Sequence, residues 1–195
     1  MGYSTEFAGR LNLSRPATAT EVAYINAFSQ SRRMRRNTDI LMQKYNGKGG
    51  LPLIFKPTPA QKRAIKSLEK SGLLVNVQPV SDTRTALEIY GQQGEYYVDD
   101  IDDNSVLDLN SPSSTQPSLW CQWVLTEDGT QLKWDGGEKF YDYVEWMEYM
   151  IKNFFAPWGI KLNGTITWSG EDSDDIGSIK VVNNKVTTKV ATIRY

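Results

Sequence analysis

The stretch Trp134–Trp158, WDGGEKFYDYVEWMEYMIKNFFAPW, decides the fold, because it joins a helix-start signal, a long aromatic body and a definite stop. Asp135 followed three residues later by Glu138 has the form of a capping box, in which each end satisfies a backbone N–H of the other. Phe140, Val144, Met147, Ile151 and Phe154 recur at the three-and-four spacing of one helical face, and Pro157 with Gly159 ends the run. The spacing predicts a helix from about Gly136 to about Phe155 with that face in the core. A second apolar stripe, Tyr143, Trp146 and Met150, lies beside Glu145, Glu148 and Lys152. A helix this apolar is covered on more than one side, so the second stripe is expected to lie against the basic insertion over 38–103 or against another molecule.

The residues on either side supply the sheet. LWCQWVLT and TQLKWD flank Glu127-Asp128-Gly129, where Asp-Gly suits the left-handed angles of a tight hairpin. Leu119, Cys121, Trp123 and Leu125 fall on one face of this hairpin and Trp120, Gln122 and Val124 on the other. After the helix, Ile160, Leu162, Ile166 and Trp168 alternate with Lys161, Asn163, Thr165, Thr167 and Ser169, the pattern of a strand packed on one side. Ile179–Val182 and Val186–Ile193, joined by Asn183-Asn184, complete an antiparallel meander. Gly170–Gly177 between them is an acidic turn, read as solvated surface, with Glu171, Asp172 and Asp174 as oxygen ligands for a divalent cation in the weaker reading.

Toward the N-terminus, Leu11–Ser14 reads as a short strand, and Thr18 with Glu21 forms a second capping box opening a helix to about Met34. Arg32, Arg33, Arg35 and Arg36 follow. Cations at a helix C-terminus complement its exposed carbonyls, and four arginines exceed that need, which points to an acidic or phosphorylated partner. Residues 38–103 change texture, with clustered glycines and prolines and weaker periodicity, and read as a small α+β insertion. Its helix, opened by Thr58-Pro59, carries Lys62, Arg63, Lys66 and Lys70 outward; strands at Leu73–Val77, Ala86–Tyr90 and Glu95–Val98 follow. Asn110–Ser118 is a turn-rich return to the core. The expected architecture is therefore a single α+β domain over 1–195: a hairpin and C-terminal meander packed against two main helices, with the insertion at 38–103.

Composition narrows the chemistry. The 195 residues contain no histidine and one cysteine, which removes Ser-His-Asp and Cys-His catalysis, disulfides and cysteine-rich zinc sites. The net charge of −1 conceals an asymmetry, with thirteen Lys or Arg against four acids from Met1 to Lys70 and nine against nineteen in the rest. Opposed halves mean either a basic face for nucleic acid or phosphate, or two halves lying against one another. No apolar run is long enough to span a bilayer and the first residues lack a signal-peptide pattern, so a cytoplasmic protein is expected.

GYSTEFAG, SRRMRR, LWCQW with EDGT, WDGGEKFYDYVEWMEYMI, PWG, LNGTITW and GEDSDDIGSIKV together resemble a family of small proteins of unassigned function carried by tailed bacteriophages and scattered bacteria. The resemblance covers the first forty or so residues and most of Asn110–Val190. It implies a phage or prokaryotic cytosolic setting and lends no catalytic residue.

Aromatic residues and arginine are enriched at interface hot spots. With histidine absent, they favour a non-enzymatic binding protein that engages a host defence protein or a small phosphorylated ligand. Its contact residues would be Arg32, Arg33, Arg35 and Arg36 with Tyr143, Trp146 and Met150, no cofactor being required and self-association left open. The alternatives are a carboxylate enzyme on a nucleotide or other phosphorylated substrate, using Asp135, Glu138, Glu171 or Asp172, and a nucleic-acid binder using the insertion's lysines with the arginine cluster.

Overall fold

The computed structural model describes residues 3–37, 104, 106–113 and 115–191; the insertion expected over 38–103, with its basic helix, lies outside them. Strand β1 (Thr5–Leu13) leads to helix α1 (Ala19–Ser29) and short strand β2 (Met34–Arg36), which pairs with β3 (Val106–Pro112). The chain then makes the hairpin β4 (Trp123–Leu125) and β5 (Gln131–Trp134), helix α2 (Tyr143–Met150) with a π-helical turn Ile151–Phe155, and the meander β6 (Leu162–Gly170), β7 (Ile176–Val182) and β8 (Lys185–Val190). The protein is α+β: among the described residues, one six-stranded antiparallel sheet in the order β4-β5-β1-β6-β7-β8, a two-stranded sheet β2-β3 and two helices. Among the described residues, no helix is long and apolar enough to cross a membrane.

β1 is the keystone. It pairs along its whole length with β6, from Thr5 opposite Gly170 to Leu13 opposite Leu162, and joins the hairpin through Leu11 opposite Leu132. The sequence shows only its last three residues as a strand, because Gly9 interrupts the alternation of Thr5, Phe7, Leu11 and Leu13. That glycine is required: its φ is +104°, and a Cβ there would overlap the Thr165 carbonyl. Side chains of alternating residues point to one face, where Leu11, Leu132, Leu162, Ile166, Trp168, Ile179 and Val181 are buried against the helices. Gly177 leaves room for the Trp168 indole, which a Cβ at that position would penetrate.

The Thr18–Glu21 capping box forms as read: Thr18 accepts from the Glu21 N–H and Glu21 accepts from the Thr18 N–H. The helix stops at Ser29, five residues before the expected end, and Met34 enters β2 instead, where it is fully buried. The Arg33 N–H donates to the Leu119 carbonyl (2.8 Å), so the arginines follow a turn and line a strand; they do not crown a helix.

The Asp135–Glu138 capping box does not form. Asp135 accepts from the Gly137 N–H (2.7 Å) in a local turn, and Gly136, Lys139 and Asp142 all have positive φ (91°, 59° and 52°), which no continuous right-handed helix allows. Residues 135–142 stay non-helical because the hairpin holds them. Asp135 N–H donates to the Gln122 carbonyl, Gln122 Nε2 donates to the Glu138 carbonyl, and Phe140 is planted in the core beside Phe7 and Trp123. The helix therefore begins at Tyr143, its first carbonyl taking the Trp123 indole N–H (2.9 Å). Its last turn widens, with Ala156 N–H donating to the Ile151 carbonyl, and this extra residue lets Ile151, Phe154 and Phe155 all turn inward.

Candidate binding surface

The second stripe of α2 is covered by this chain. Trp146 and Met150 are completely buried: the Trp146 indole donates to Ser118 Oγ (2.7 Å) and meets Phe28 of α1 edge-on, and Met150 Sδ lies 3.4 Å from Cys121 Sγ. Tyr143 is half-buried between Phe7, Phe140 and Trp168, and burial followed by the nearby Asp175 carboxylate pushes its phenol up to about 12. Burial likewise pushes the Cys121 thiol up to about 12, which keeps it an apolar core group and no nucleophile.

The arginines separate. Arg33 is buried at 1% exposure with its guanidinium 4.5 Å above the Phe28 ring, a cation–π contact. Arg32 donates to the Leu109 carbonyl and the Asn110 side chain, and Arg35 pairs with Asp108 at 3.4 Å. The Asp108 carboxyl is held below its ordinary value, first by Ser111 and the Asn110 N–H and then by Arg35. Of Arg36 only the backbone, opposite Val106, is described. Three of the four arginine side chains thus fasten the β2–β3 hairpin and the core beneath it.

The acidic turn holds the N-terminus. Asp175 accepts from the Tyr3 hydroxyl (2.8 Å) and the Trp168 indole (3.0 Å), Glu171 accepts from the Ser4 N–H, and the Asp172 N–H donates to Tyr3 Oη. Asp174 is exposed in the same turn, and no group of three or more Cys, Asp or Glu among the described residues is placed to hold a metal ion.

What remains open is the outer face of the sheet. Antiparallel register sets Arg10 opposite Thr165, Thr165 opposite Lys180, and Lys180 opposite Thr187 in one row. The next row reads Ala8, Thr167, Ser178 and Lys189. Lys133 lies beside Arg10, one residue past the Leu11–Leu132 pair, and Lys185 sits opposite Val182. Apart from the partly covered Lys133 and Ser178, all the residues of these rows, and Lys185, are exposed. Five cations, Arg10, Lys133, Lys180, Lys185 and Lys189, thus share the face with one acid, Glu6. Arg10 Nη1 donates to Gln131 Oε1 (3.0 Å), whose Nε2 donates to Asn12 Oδ1 (2.9 Å), so the polar side chains at the β5–β1 boundary are mutually fixed. Two apolar residues, Ile176 and Val182, are exposed at the ends of β7.

This grouping was half visible in the sequence. The polar side of β6, with Thr165, Thr167 and Ser169, follows from its alternation. The insertion of β1 between β5 and β6, which brings Arg10 and Lys133 to the same face as Lys180, is a long-range pairing that no local pattern encodes. Comparison with protein-family models, with curated proteins and with solved structures finds no match for this chain.

Proposed function

We propose that this protein is a non-enzymatic binding protein that takes an anionic partner on the outer face of its six-stranded sheet. The supporting observation is the charge of that face, five cations to one acid, in a chain whose overall charge is −1. A charge segregated onto one surface raises the local concentration of an oppositely charged partner and speeds its encounter. Thr165, Thr167, Ser178 and Thr187 between the cations are short hydroxyl donors that leave the surface low and accessible. The resemblance to small phage proteins supports an accessory role in a phage or prokaryotic cytosol, where the acidic surface of a host protein and the phosphates of a ligand both offer the required chemistry. Burial of Trp146 and Met150 moves the proposed contact away from α2 and onto the sheet.

Elution from immobilised heparin tests the face independently of the partner's identity. The wild-type chain should require markedly more salt than a chain carrying Lys133→Gln, Lys180→Gln and Lys189→Gln, with unchanged circular dichroism. Equal elution of the two would remove the sheet face from the function.

A further inference from the structure

We infer that the partner of the outer sheet face is duplex nucleic acid, gripped by its phosphate backbone without readout of sequence. The inference rests on the proposal of an anion-binding face and adds the partner class. Four properties of the face lead to it. The first is extent. The cations run from Lys133 on β5 to Lys185 and Lys189 on β8, across four strand spacings, or about 19 Å at about 4.8 Å each. A duplex presents a phosphate about every 3.4 Å along each strand, so about five to six base pairs lie over that distance. A single small phosphorylated molecule reaches only one or two of these cations.

The second property is the absence of rings. The residues directed outward are Val124 on β4, Glu6, Ala8, Arg10 and Asn12 on β1, Gln131 and Lys133 on β5, Asn163, Thr165, Thr167 and Ser169 on β6, Ile176, Ser178, Lys180 and Val182 on β7, and Lys185, Thr187 and Lys189 on β8. None is aromatic. Sheets that bind single strands stack bases on aromatic side chains, and here Phe7, Trp134 and Trp168 belong to the core side. A duplex keeps its bases stacked inside and shows the protein phosphates, which is the chemistry these side chains match.

The third property is donor type. Lysine, arginine, hydroxyl and amide groups are the usual phosphate contacts, and such contacts fix position without specifying sequence. Apart from the cations, the long side chains of the face are Glu6, at its acidic end, and Gln131, which is held by Arg10 and Asn12, so nothing else reaches toward a groove. The fourth is the distribution of charge along the strands. Glu6 and the Glu171–Asp175 turn lie at one end of the sheet and the exposed Glu127-Asp128 turn at the other, so acids at both ends bias the backbone toward the inner rows, where Arg10, Lys133, Lys180 and Lys189 lie.

Fluorescence anisotropy decides the matter. Labelled 20-base-pair DNA duplexes of two unrelated sequences, an RNA duplex of the same length, a single strand and a poly-glutamate peptide are titrated with the full chain at several salt concentrations. Duplex binding is expected, with the two DNA sequences within about twofold and a log–log salt slope of about −3 to −4.5, since each neutralised phosphate contributes about −0.9. Lys180→Gln should weaken binding to both sequences equally and reduce the slope by about one. Binding confined to the single strand or to poly-glutamate, or no duplex binding at 50 mM salt, overturns the inference. If heparin elution still depends on the face while duplexes fail to bind, the anion-binding proposal stands and this inference falls. If neither polyanion binds, both fall.

Discussion

The Glu21 carboxylate accepts from the Thr18 N–H and from both terminal nitrogens of Arg15, whose Nη2 also donates to the Trp158 carbonyl. One side chain therefore closes the start of α1 and ties it to the end of the π-helical turn. Burial alone would raise the Glu21 pKa, but the Arg15 and Thr18 hydrogen bonds outweigh it and hold the carboxyl below its ordinary value. A depressed acid contributes stability that is fully present above the unfolded pKa and is lost as pH falls through the folded one. Arg15 is 41% exposed, so the pair itself is partly screened by solvent and the whole contribution is about 1 kcal/mol. Replacement Glu21→Gln keeps an acceptor for the Thr18 N–H and should lower stability by only part of that, about 0.5 kcal/mol, at neutral pH. In urea titrations the gap between wild type and variant should be constant above about pH 5 and close progressively below the ordinary carboxylate pKa of about 4.3. A gap that is the same at pH 3 and pH 7 would show that the charge contributes nothing.

Helix α1 also finishes the sheet. Asn26 donates through Nδ2 to the Leu125 carbonyl (3.1 Å) and accepts at Oδ1 from the Leu125 N–H (2.8 Å), and Ser29 Oγ donates to the Trp123 carbonyl. These side chains stand where a seventh strand would pair, so the β4 edge is closed by a helix. Asn26→Ala should cost about 2–3 kcal/mol, because it orphans a part-buried donor and acceptor together, and Asn26→Asp should destabilise as well, because it keeps the acceptor but sets a carboxylate oxygen against the Leu125 carbonyl. Thermal or chemical unfolding measures both losses; an Asn26→Asp variant as stable as wild type would mean the amide donor is idle. None of this pairing is legible in the sequence, where Asn26 is merely a polar position in a helix. The legible elements were those whose signals are local: the Thr18–Glu21 box, the hairpin and the meander with its Asn183-Asn184 turn, both at positive φ. The start of α2 was misread because Asp135 and Glu138 have capping spacing while hairpin contacts from Gln122 decide their backbone. The second stripe was legible as covered; that Phe28, Ser118 and Cys121 cover it depends on α1 crossing α2, which periodicity cannot express.

At the scale of the molecule, the sheet has one face sealed by helices, one face open and basic, and two edges treated differently. The β4 edge is closed by α1, whereas β8, among the described residues, has β7 on one side only, with Lys185, Thr187 and Lys189 exposed along it. Lysines on an edge strand oppose sheet extension. The spacing here is specific to self-pairing. An antiparallel meeting of two β8 strands centred on Thr187, with both outer faces on the same side, sets Lys185 of each copy opposite Lys189 of the other. Like charges directly opposed destabilise such a ladder, and opposite charges stabilise it by about 0.2–1 kcal/mol per pair. The single change Lys189→Glu converts both cross-strand contacts into Lys–Glu pairs. The double change Lys185→Glu with Lys189→Glu restores repulsion with the sign reversed. Sedimentation velocity over a concentration series should show the single variant shifted toward a dimer relative to wild type, and the double variant not shifted, although it differs more in net charge. A shift that simply followed net charge, largest for the double variant, would rule out β8 pairing as its cause and return the lysines to their role on the outer face alone.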